Sequence, residues 1–133
     1  MTVYLAGPIQ GMTDLECKVW RQEARVPLER RGCVVIDPLD RDYRGREDEH
    51  AEEIVDGDKD AIEQCDLLLV NACQPSWGTA MEVIYTKSIG KDVVAFTDCE
   101  AISPWLRCHT TAIYRTLNDA ILGITSRSMK GLR

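Results

Sequence analysis

The stretch DLLLVNACQPSWGTAMEV, residues 66–83, decides the fold. It begins with a continuous apolar run that is typical of a strand covered by helices on both faces. The residues that follow, 79–89, have the pattern of a helix. One acid, Glu82, lies where the chain turns from strand into helix. A buried strand that leads directly into a helix is the repeating unit of a parallel α/β sheet.

The same alternation of strand and helix extends over the rest of the chain. Further strands are predicted at residues 2–6, 33–37, 92–97 and 111–115, and further helices at residues 14–32, 51–65 and 116–124. We therefore predict one domain over residues 1–133, an α/β Rossmann- or flavodoxin-like three-layer sandwich with about five mostly parallel strands and helices on both faces. We expect the charged residues 38–50 to form a mobile loop over the site, and the basic residues 126–133 to form a flexible tail.

Composition limits the classes of function. The net charge of −6 argues against a nucleic-acid polymer as the partner, because binding a phosphate backbone needs a basic face. No apolar run approaches the ~20 residues of a membrane span, and the first residues contain no basic leader. The six cysteines form no CxxC pair, and we interpret them as reduced thiols of a cytoplasmic protein. The two histidines lack the spacing of metal ligands, so we predict no metal site.

Glu82 has two interpretations. Thr79, three residues earlier, matches a capping box, in which case Glu82 only caps the helix. Alternatively, its carboxylate in the first helical turn faces the crevice beyond the strand ends, where such sheets bind ligands, and the helix dipole keeps it ionised. Gly78 just before it would let a ligand approach the backbone closely.

Asp58 interrupts an apolar stripe on the helix predicted at residues 51–65. The stripe consists of Ile54, Ala61, Ile62 and Cys65. A carboxylate on a buried face is costly unless it is paired or used, and burial shifts its pKa towards that of a general acid. The alternative is that Gly57 breaks the pattern and Asp58 caps a helix that begins there.

Three further features of the sequence are candidates for substrate contacts. The GPIQG turn after the first strand, with Gly7, Pro8, Ile9 and Gln10, resembles an anion-cradling loop, although a plain tight turn fits equally well. The Tyr4 hydroxyl either packs in the core or orients the carboxylate of Glu82. Trp77 and Trp105 either stack on a base or pack against the protein.

In this order the motifs resemble the nucleoside 2-deoxyribosyltransferase family, which includes the 2'-deoxynucleoside 5'-monophosphate N-glycosidases. The likeness runs from VYLAGPIQG through DGDKDAIEQCDLLLVNACQPSWGTAMEVIYTKSIGKDVVAF. The family has a tyrosine on the first strand, which matches Tyr4. It has an acid eight residues before the acid that opens the third strand, which matches Asp58 before Asp66. Its nucleophile lies in a PSxGxxxE-like turn, which matches Glu82.

The resemblance implies an enzyme that cleaves the N-glycosidic bond of a 2'-deoxynucleoside or its 5'-monophosphate with retention. Glu82 would form a covalent deoxyribosyl ester, Asp58 would protonate the leaving base, and Tyr4 would position Glu82. Water would then give hydrolysis, and a second base would give transfer. The resemblance implies no metal and no organic cofactor. It also implies a homodimer or larger homo-oligomer in which a neighbouring subunit closes the site, with Ser103 and His109 as candidates for that contact.

Some positions depart from the family pattern and bear on the substrate. The transferases tend to carry an acid six residues before the nucleophile, where this chain has Ser76. A serine there resembles the monophosphate hydrolases, in which it contacts phosphate. Those hydrolases also favour a hydroxyl and an arginine in the first loop, where this chain has Pro8 and Gln10. We expect a hydrolase of a nucleoside or monophosphate, with transfer as the less favoured outcome.

Two other functions stay open at this point. The segment GTAME resembles the GGxGTxxE turn of the cytokinin-activating phosphoribohydrolases, which act on ribonucleotides, although Pro75 and Ser76 replace the glycine pair. The chain would also suit a non-catalytic nucleotide-binding module, since a fold does not fix a function. The carboxylates of Asp58 and Glu82 argue against a pure binding module, because binding an anionic ligand gains nothing from them.

Overall fold

The apolar runs of the sequence form one parallel sheet in the computed structural model, which describes residues 1–126. Its strands are β1 (Thr2–Ala6), β2 (Val34–Ile36), β3 (Leu67–Asn71), β4 (Asp92–Phe96) and β5 (Ala112–Tyr114). Their order in the sheet is β2-β1-β3-β4-β5, and every neighbouring pair is parallel. The predicted sheet of about five strands is therefore confirmed, and its described strands are all parallel.

Helices cover both faces of this sheet. They are α1 (Asp14–Arg30), α2 (Ala51–Gln64), α3 (Trp77–Ser88), α4 (Pro104–Cys108) and α5 (Leu117–Thr125). Alternate residues of β3 point to opposite faces, so Leu67 and Leu69 join one apolar core with α1 and α5. Leu68 and Val70 join a second core with α2 and α3. The chain is thus the predicted three-layer α/β sandwich.

Two segments outside this frame differ from what the sequence pattern suggested. Residues 38–50 were expected to form an unpatterned loop, but the β2–α2 segment, residues 37–50, contains two short 3-10 helices, Pro38–Asp40 and Glu47–His50. The Asp37 side chain caps the first of them by accepting the backbone N–H of Leu39. The tail predicted at residues 126–133 lies outside the described residues, apart from Ser126.

The start of α3 also corrects the sequence interpretation. The helix begins at Trp77, two residues earlier than predicted, because Ser76 is the N-cap and its side chain accepts the N–H of Thr79 at 3.4 Å. The capping box proposed for Thr79 and Glu82 is therefore wrong. Glu82 lies in the second turn of α3 rather than the first, where the helix dipole has less influence.

Among residues 1–126, no helix is both long enough and apolar enough to cross a membrane.

Candidate active site

The carboxyl ends of β1 and β3 are neighbours, and the side chains of Tyr4 and Glu82 meet beside them. Tyr4 is fully buried in β1 and faces α3. Its hydroxyl donates a hydrogen bond to Oε2 of Glu82 at 2.5 Å, across 78 positions of sequence. The bond occupies one oxygen of the carboxylate and fixes its orientation.

Both groups of this pair have strongly shifted acidities. Burial raises the pKa of Glu82 to about 8, and the nearby charge of Asp58 adds to the rise, while the hydrogen bond from Tyr4 opposes it. Burial and the charges of Glu82 and Asp58 raise the pKa of Tyr4 well above its usual range. The tyrosine therefore stays neutral and remains a hydrogen-bond donor.

Asp58 approaches the same place from α2. The helix is continuous through Gly57, so the alternative in which Asp58 caps a helix start is wrong. Its side chain is 21% exposed and forms an ion pair with Arg41, with 2.7 Å between Nη2 and Oδ1. Burial raises the pKa of Asp58, and the Arg41 guanidinium works against this rise.

A cavity of about 150 Å³ lies beside these groups at the carboxyl edge of the sheet. Its wall includes Asp58 from α2 and Glu82 from α3. Five of the predicted substrate-binding residues also line it, namely Gly7, Ile9, Gln10, Ser76 and Gly78. The structure thus brings together side chains from four separate parts of the chain around one small space.

Four of the predicted binding residues lie elsewhere. Pro8 is buried and does not line the cavity. Trp77, Ser103 and His109 line a second, larger cavity of about 710 Å³ on the other side of the start of α3. The two cavities share Ser76 and Thr79.

The larger cavity is mainly apolar and has exposed aromatic groups at its rim. Trp77 is 85% exposed and Trp105 is 71% exposed. The Trp105 ring stacks on the ring of His109, with 5.8 Å between centroids. Exposed tryptophans beside an apolar cavity are typical of a surface that another molecule covers.

The sequence interpretation missed several residues of the smaller cavity. Arg41, Tyr43, Arg44 and Glu47 all come from the β2–α2 segment, which was recognised only as a loop. Since this segment has no hydrophobic period, the sequence gives no signal of which side chains turn inward. The hydroxyl of Thr79 was also missed: it is buried and has no hydrogen-bond partner.

Arg21 is the most buried charged residue beneath the site and was also missed. It is 2% exposed. Its guanidinium donates to the carbonyls of Leu5 and Gly7 at 3.0 and 2.9 Å, and to the carboxylate of Asp37 at 2.7 Å. It therefore ties the carboxyl ends of β1 and β2 together. The signal was present in the sequence, since Arg21 lies between Cys17 and Ala24 on the buried face of α1.

Within residues 1–126, no group of three or more histidine, cysteine or acidic side chains is arranged to hold a metal ion.

Comparison with known proteins identifies the family of this chain and finds solved structures with the same fold. The sequence model of the nucleoside 2-deoxyribosyltransferase family matches residues 3–119. No curated protein matches significantly. A solved structure of a 2-deoxyribosyltransferase from Bacillus psychrosaccharolyticus is similar, with a TM-score of 0.75 and 20% identity over 99% of this chain and 96% of that one.

Two further solved structures share the fold. A CMP N-glycosidase from Clostridium botulinum has a TM-score of 0.66 and 19% identity, covering 95% of this chain and 100% of that one. A 2-deoxyribosyltransferase from Leishmania mexicana has a TM-score of 0.57 and 23% identity, covering 74% of this chain and 65% of that one. At these identities the structural likeness speaks for the fold alone.

Proposed function

Because this chain belongs to the nucleoside 2-deoxyribosyltransferase family, we propose that it cleaves the N-glycosidic bond of a 2'-deoxynucleoside or its 5'-monophosphate through a covalent deoxyribosyl–Glu82 intermediate. The observation that supports this most directly is the hydrogen bond from Tyr4 to Glu82 beside a cavity that also contains Asp58. A held nucleophile and a separate acid are the two groups that retaining glycoside cleavage needs.

In the first step Glu82 attacks C1' of the sugar. Tyr4 holds Oε2, which leaves Oε1 to form the new bond to C1' while the bond from C1' to the base nitrogen breaks. Asp58 gives its proton to the base, so that the base leaves in neutral form. The deoxyribose is then an ester of Glu82.

In the second step an acceptor replaces Glu82. A water molecule attacks C1', Asp58 takes the proton from that water, and the ester bond to Glu82 breaks. We favour water over a second base as the acceptor, because Ser76 replaces the acid that the transferases tend to carry at this position. Hydrolysis is therefore the main reaction, and transfer is the minor one.

The substrate carries its anionic group near the start of α3. Ser76 and Gly78 line the cavity at the N-terminus of this 12-residue helix. The first backbone N–H groups of a helix point outward and bind anions. This arrangement favours a 5'-monophosphate over an uncharged nucleoside. The first loop argues the other way, because Pro8 and Gln10 lack the hydroxyl and the arginine of the monophosphate hydrolases.

The test is a survey of free-base release. The purified chain is incubated with deoxynucleosides, with their 5'-monophosphates, and with AMP and CMP, and the bases are separated by chromatography. CMP is included because a protein of the same fold is a CMP N-glycosidase. Release from deoxy substrates is expected. Release from ribonucleotides alone would favour the phosphoribohydrolase alternative.

A trapping experiment tests the covalent step. A 2-deoxy-2-fluoro nucleoside slows breakdown of the ester, so the mass of one sugar is expected on the peptide that contains Glu82. Tight binding of an intact nucleoside, with no added mass and no base release, would favour the non-catalytic module.

The proposal includes a homodimer or larger homo-oligomer in the cytoplasm. The larger cavity, with Trp77, Trp105, Ser103 and His109, lies directly beside the site and shares Ser76 with it. A second copy placed there would cover the exposed tryptophans and close the site. All six cysteines are free thiols, which fits a reducing compartment. Light scattering during size-exclusion chromatography measures the assembly.

A further inference from the structure

Arg41 forms an ion pair with Asp58, the proposed general acid, and this contact suggests how Asp58 acquires its proton. We propose that Arg41 keeps Asp58 ionised while the site is empty, and leaves it for the phosphate of a bound 5'-monophosphate, so that Asp58 then takes up the proton it gives to the base. This inference rests on the function proposed above. It assigns Arg41 the roles of phosphate contact and of positioning residue for Asp58.

The backbone of α2 leaves room for the Arg41 side chain beside Asp58. Its Nη2 lies 2.7 Å from Oδ1 of Asp58. Its guanidinium also lies against Gly57, where an added Cβ would overlap the Nη1 and Cζ atoms. A glycine inside a helix is unfavourable in itself. At residue 57 it makes room for Arg41 beside the acid.

Arg41 is also the arginine of the cavity wall that a ligand can recruit. The other arginine on the wall, Arg44, is already bound by the carboxylates of Asp42 and Asp14. The partner of Arg41 is Asp58, which lines the cavity itself. The Arg41 side chain is 39% exposed, so it reaches solvent from this position.

A phosphate is the group for which Arg41 would exchange its partner. A guanidinium that leaves a carboxylate in a partly buried site needs another anion, and it binds phosphate through two parallel hydrogen bonds. The facing wall supplies further donors. Ser76 and Gly78 lie at the start of α3, and the adjacent Thr79 has a buried hydroxyl with no hydrogen-bond partner.

The exchange changes where the protons of the site reside. With Arg41 in place, its guanidinium favours the carboxylate form of Asp58, whereas burial raises the pKa of Glu82 to about 8 and favours its protonated form. Catalysis needs the reverse arrangement. When Arg41 leaves, Asp58 takes one proton from solvent and Glu82 releases one, so the net charge of the pair is unchanged.

Other ionisable groups surround Asp58 and remain in place during this exchange. They come from β1, α1, α3 and the β2–α2 segment, and they are Tyr4, Arg21, Glu82, Tyr43, Arg44 and Glu47. Arg21 is held by Asp37 beneath the site, and the Tyr43 hydroxyl donates to Glu53 outside it. The charge that changes partner is therefore that of Arg41.

The first experiment compares Arg41→Ala, Arg41→Lys and the control Arg25→Ala. Arg25 forms a similar pair with Asp40, at 2.8 Å, outside the cavity wall. Values of kcat/KM are measured across pH for a 5'-monophosphate and for the matching nucleoside. We expect Arg41→Ala to lose about tenfold or more for the monophosphate alone, because a hydrogen bond to a charged group is removed. Arg41→Lys is expected to lose less.

The pH profile separates this role from a merely structural one. Without Arg41 the pKa of Asp58 is higher in the free enzyme, so Asp58 stays protonated to higher pH. In the free enzyme Asp58 loses its proton at lower pH than Glu82, whose pKa is about 8, so Asp58 sets the acid limb of kcat/KM. For the nucleoside this acid limb is therefore expected to move to higher pH in Arg41→Ala and to stay in place in Arg25→Ala. Equal losses for both substrates, or an unmoved limb, would overturn the proposal.

A second variant and a direct titration complete the test. Gly57→Ala displaces the guanidinium without removing its charge, so the limb is expected to move in the same direction. NMR titration of the Asp58 carboxyl carbon, in the wild type and in Arg41→Ala, measures the link without any turnover. If the wild type releases no base, the proposed function fails, yet this titration still decides the role of Arg41. An Asp58 that titrates identically in both proteins, and that inorganic phosphate does not affect in the wild type, would overturn it.

Discussion

Two pairs of charged or titratable side chains lie at the same edge of the sheet, and their surroundings differ. Arg21 and Asp37 have opposite charges, are 2% and 9% exposed, and satisfy each other at 2.7 Å. Glu82 and Asp58 are both acids, line one cavity, and both have raised pKa values. A pair of opposite charges stabilises a fold, whereas two acids held together in a partly buried site are unfavourable without a use. Arg21 and Asp37 therefore belong to the scaffold, and Glu82 and Asp58 belong to the proposed chemistry.

Removal of the nucleophile is the largest expected effect. Glu82→Ala should lower kcat by about 10⁴-fold or more, because no other group can form the ester. The free energy of unfolding should change little, since the substitution also removes a destabilising buried charge. Turnover and urea unfolding are measured together. The control is Glu63→Ala, because Glu63 accepts a 2.5 Å hydrogen bond from Tyr85 on the surface. A stability loss with full activity would make Glu82 a structural residue.

Replacement of the acid comes next. Asp58→Asn should preserve the fold and slow base release by about 10²- to 10³-fold, because the amide cannot donate the proton. The alkaline limb of the pH–rate profile should disappear, since the fall in rate at high pH comes from loss of the Asp58 proton. A profile that keeps this limb would remove the proton-donor role. Substrates whose bases leave without protonation should be affected least.

The scaffold pair should show the opposite behaviour. Arg21→Met leaves the buried carboxylate of Asp37 without its counter-charge, so the free energy of unfolding should fall by about 3 kcal/mol or more. Activity per folded molecule should change much less than in Glu82→Ala. The double variant Arg21→Met, Asp37→Leu should recover much of the loss, because neither charge is then stranded. An unchanged urea midpoint in Arg21→Met would remove the distinction between the two pairs.

The smallest expected effect concerns the tyrosine that joins the nucleophile to the scaffold. Tyr4→Phe should lower activity at neutral pH by about tenfold. The hydrogen bond from Tyr4 favours the ionised form of Glu82, so its loss raises the pKa of Glu82 above about 8. Since Glu82 has the higher pKa of the pair, it sets the alkaline limb of kcat/KM, and this limb should therefore move to higher pH. Tyr85→Phe is the control, and a shift of equal size there would contradict a specific role for Tyr4.

The fold could be predicted from the sequence because each strand is a short apolar run and each buried face keeps a period. The same reasoning found Asp58, a charge inside the apolar stripe of α2. Arg21 was missed, although it occupies the equivalent kind of position in α1 and the same pattern indicates it. The start of α3 was misplaced because Thr79 and Glu82 imitate a capping box, while the actual cap is Ser76.

The sequence predicted a loop over the site in the β2–α2 segment, but not which of its side chains line the cavity. Its side chains reach the cavity through tertiary contacts, as Arg41 does with Asp58 across 17 residues, and no local pattern encodes such a contact. Sequence reasoning therefore located the carboxylates, which lie on regular elements. It missed Arg41 and Arg44, which lie on an irregular segment.

The placement of Tyr4 has a consequence for heat resistance. Tyr4 belongs to β1, which is bonded to β2 on one side and β3 on the other, so its amide hydrogen should exchange with deuterium only when the whole domain opens. The β2–α2 segment has no such protection and should open first. Gentle warming should thus weaken substrate capture reversibly, while the alignment of the nucleophile persists until the protein melts.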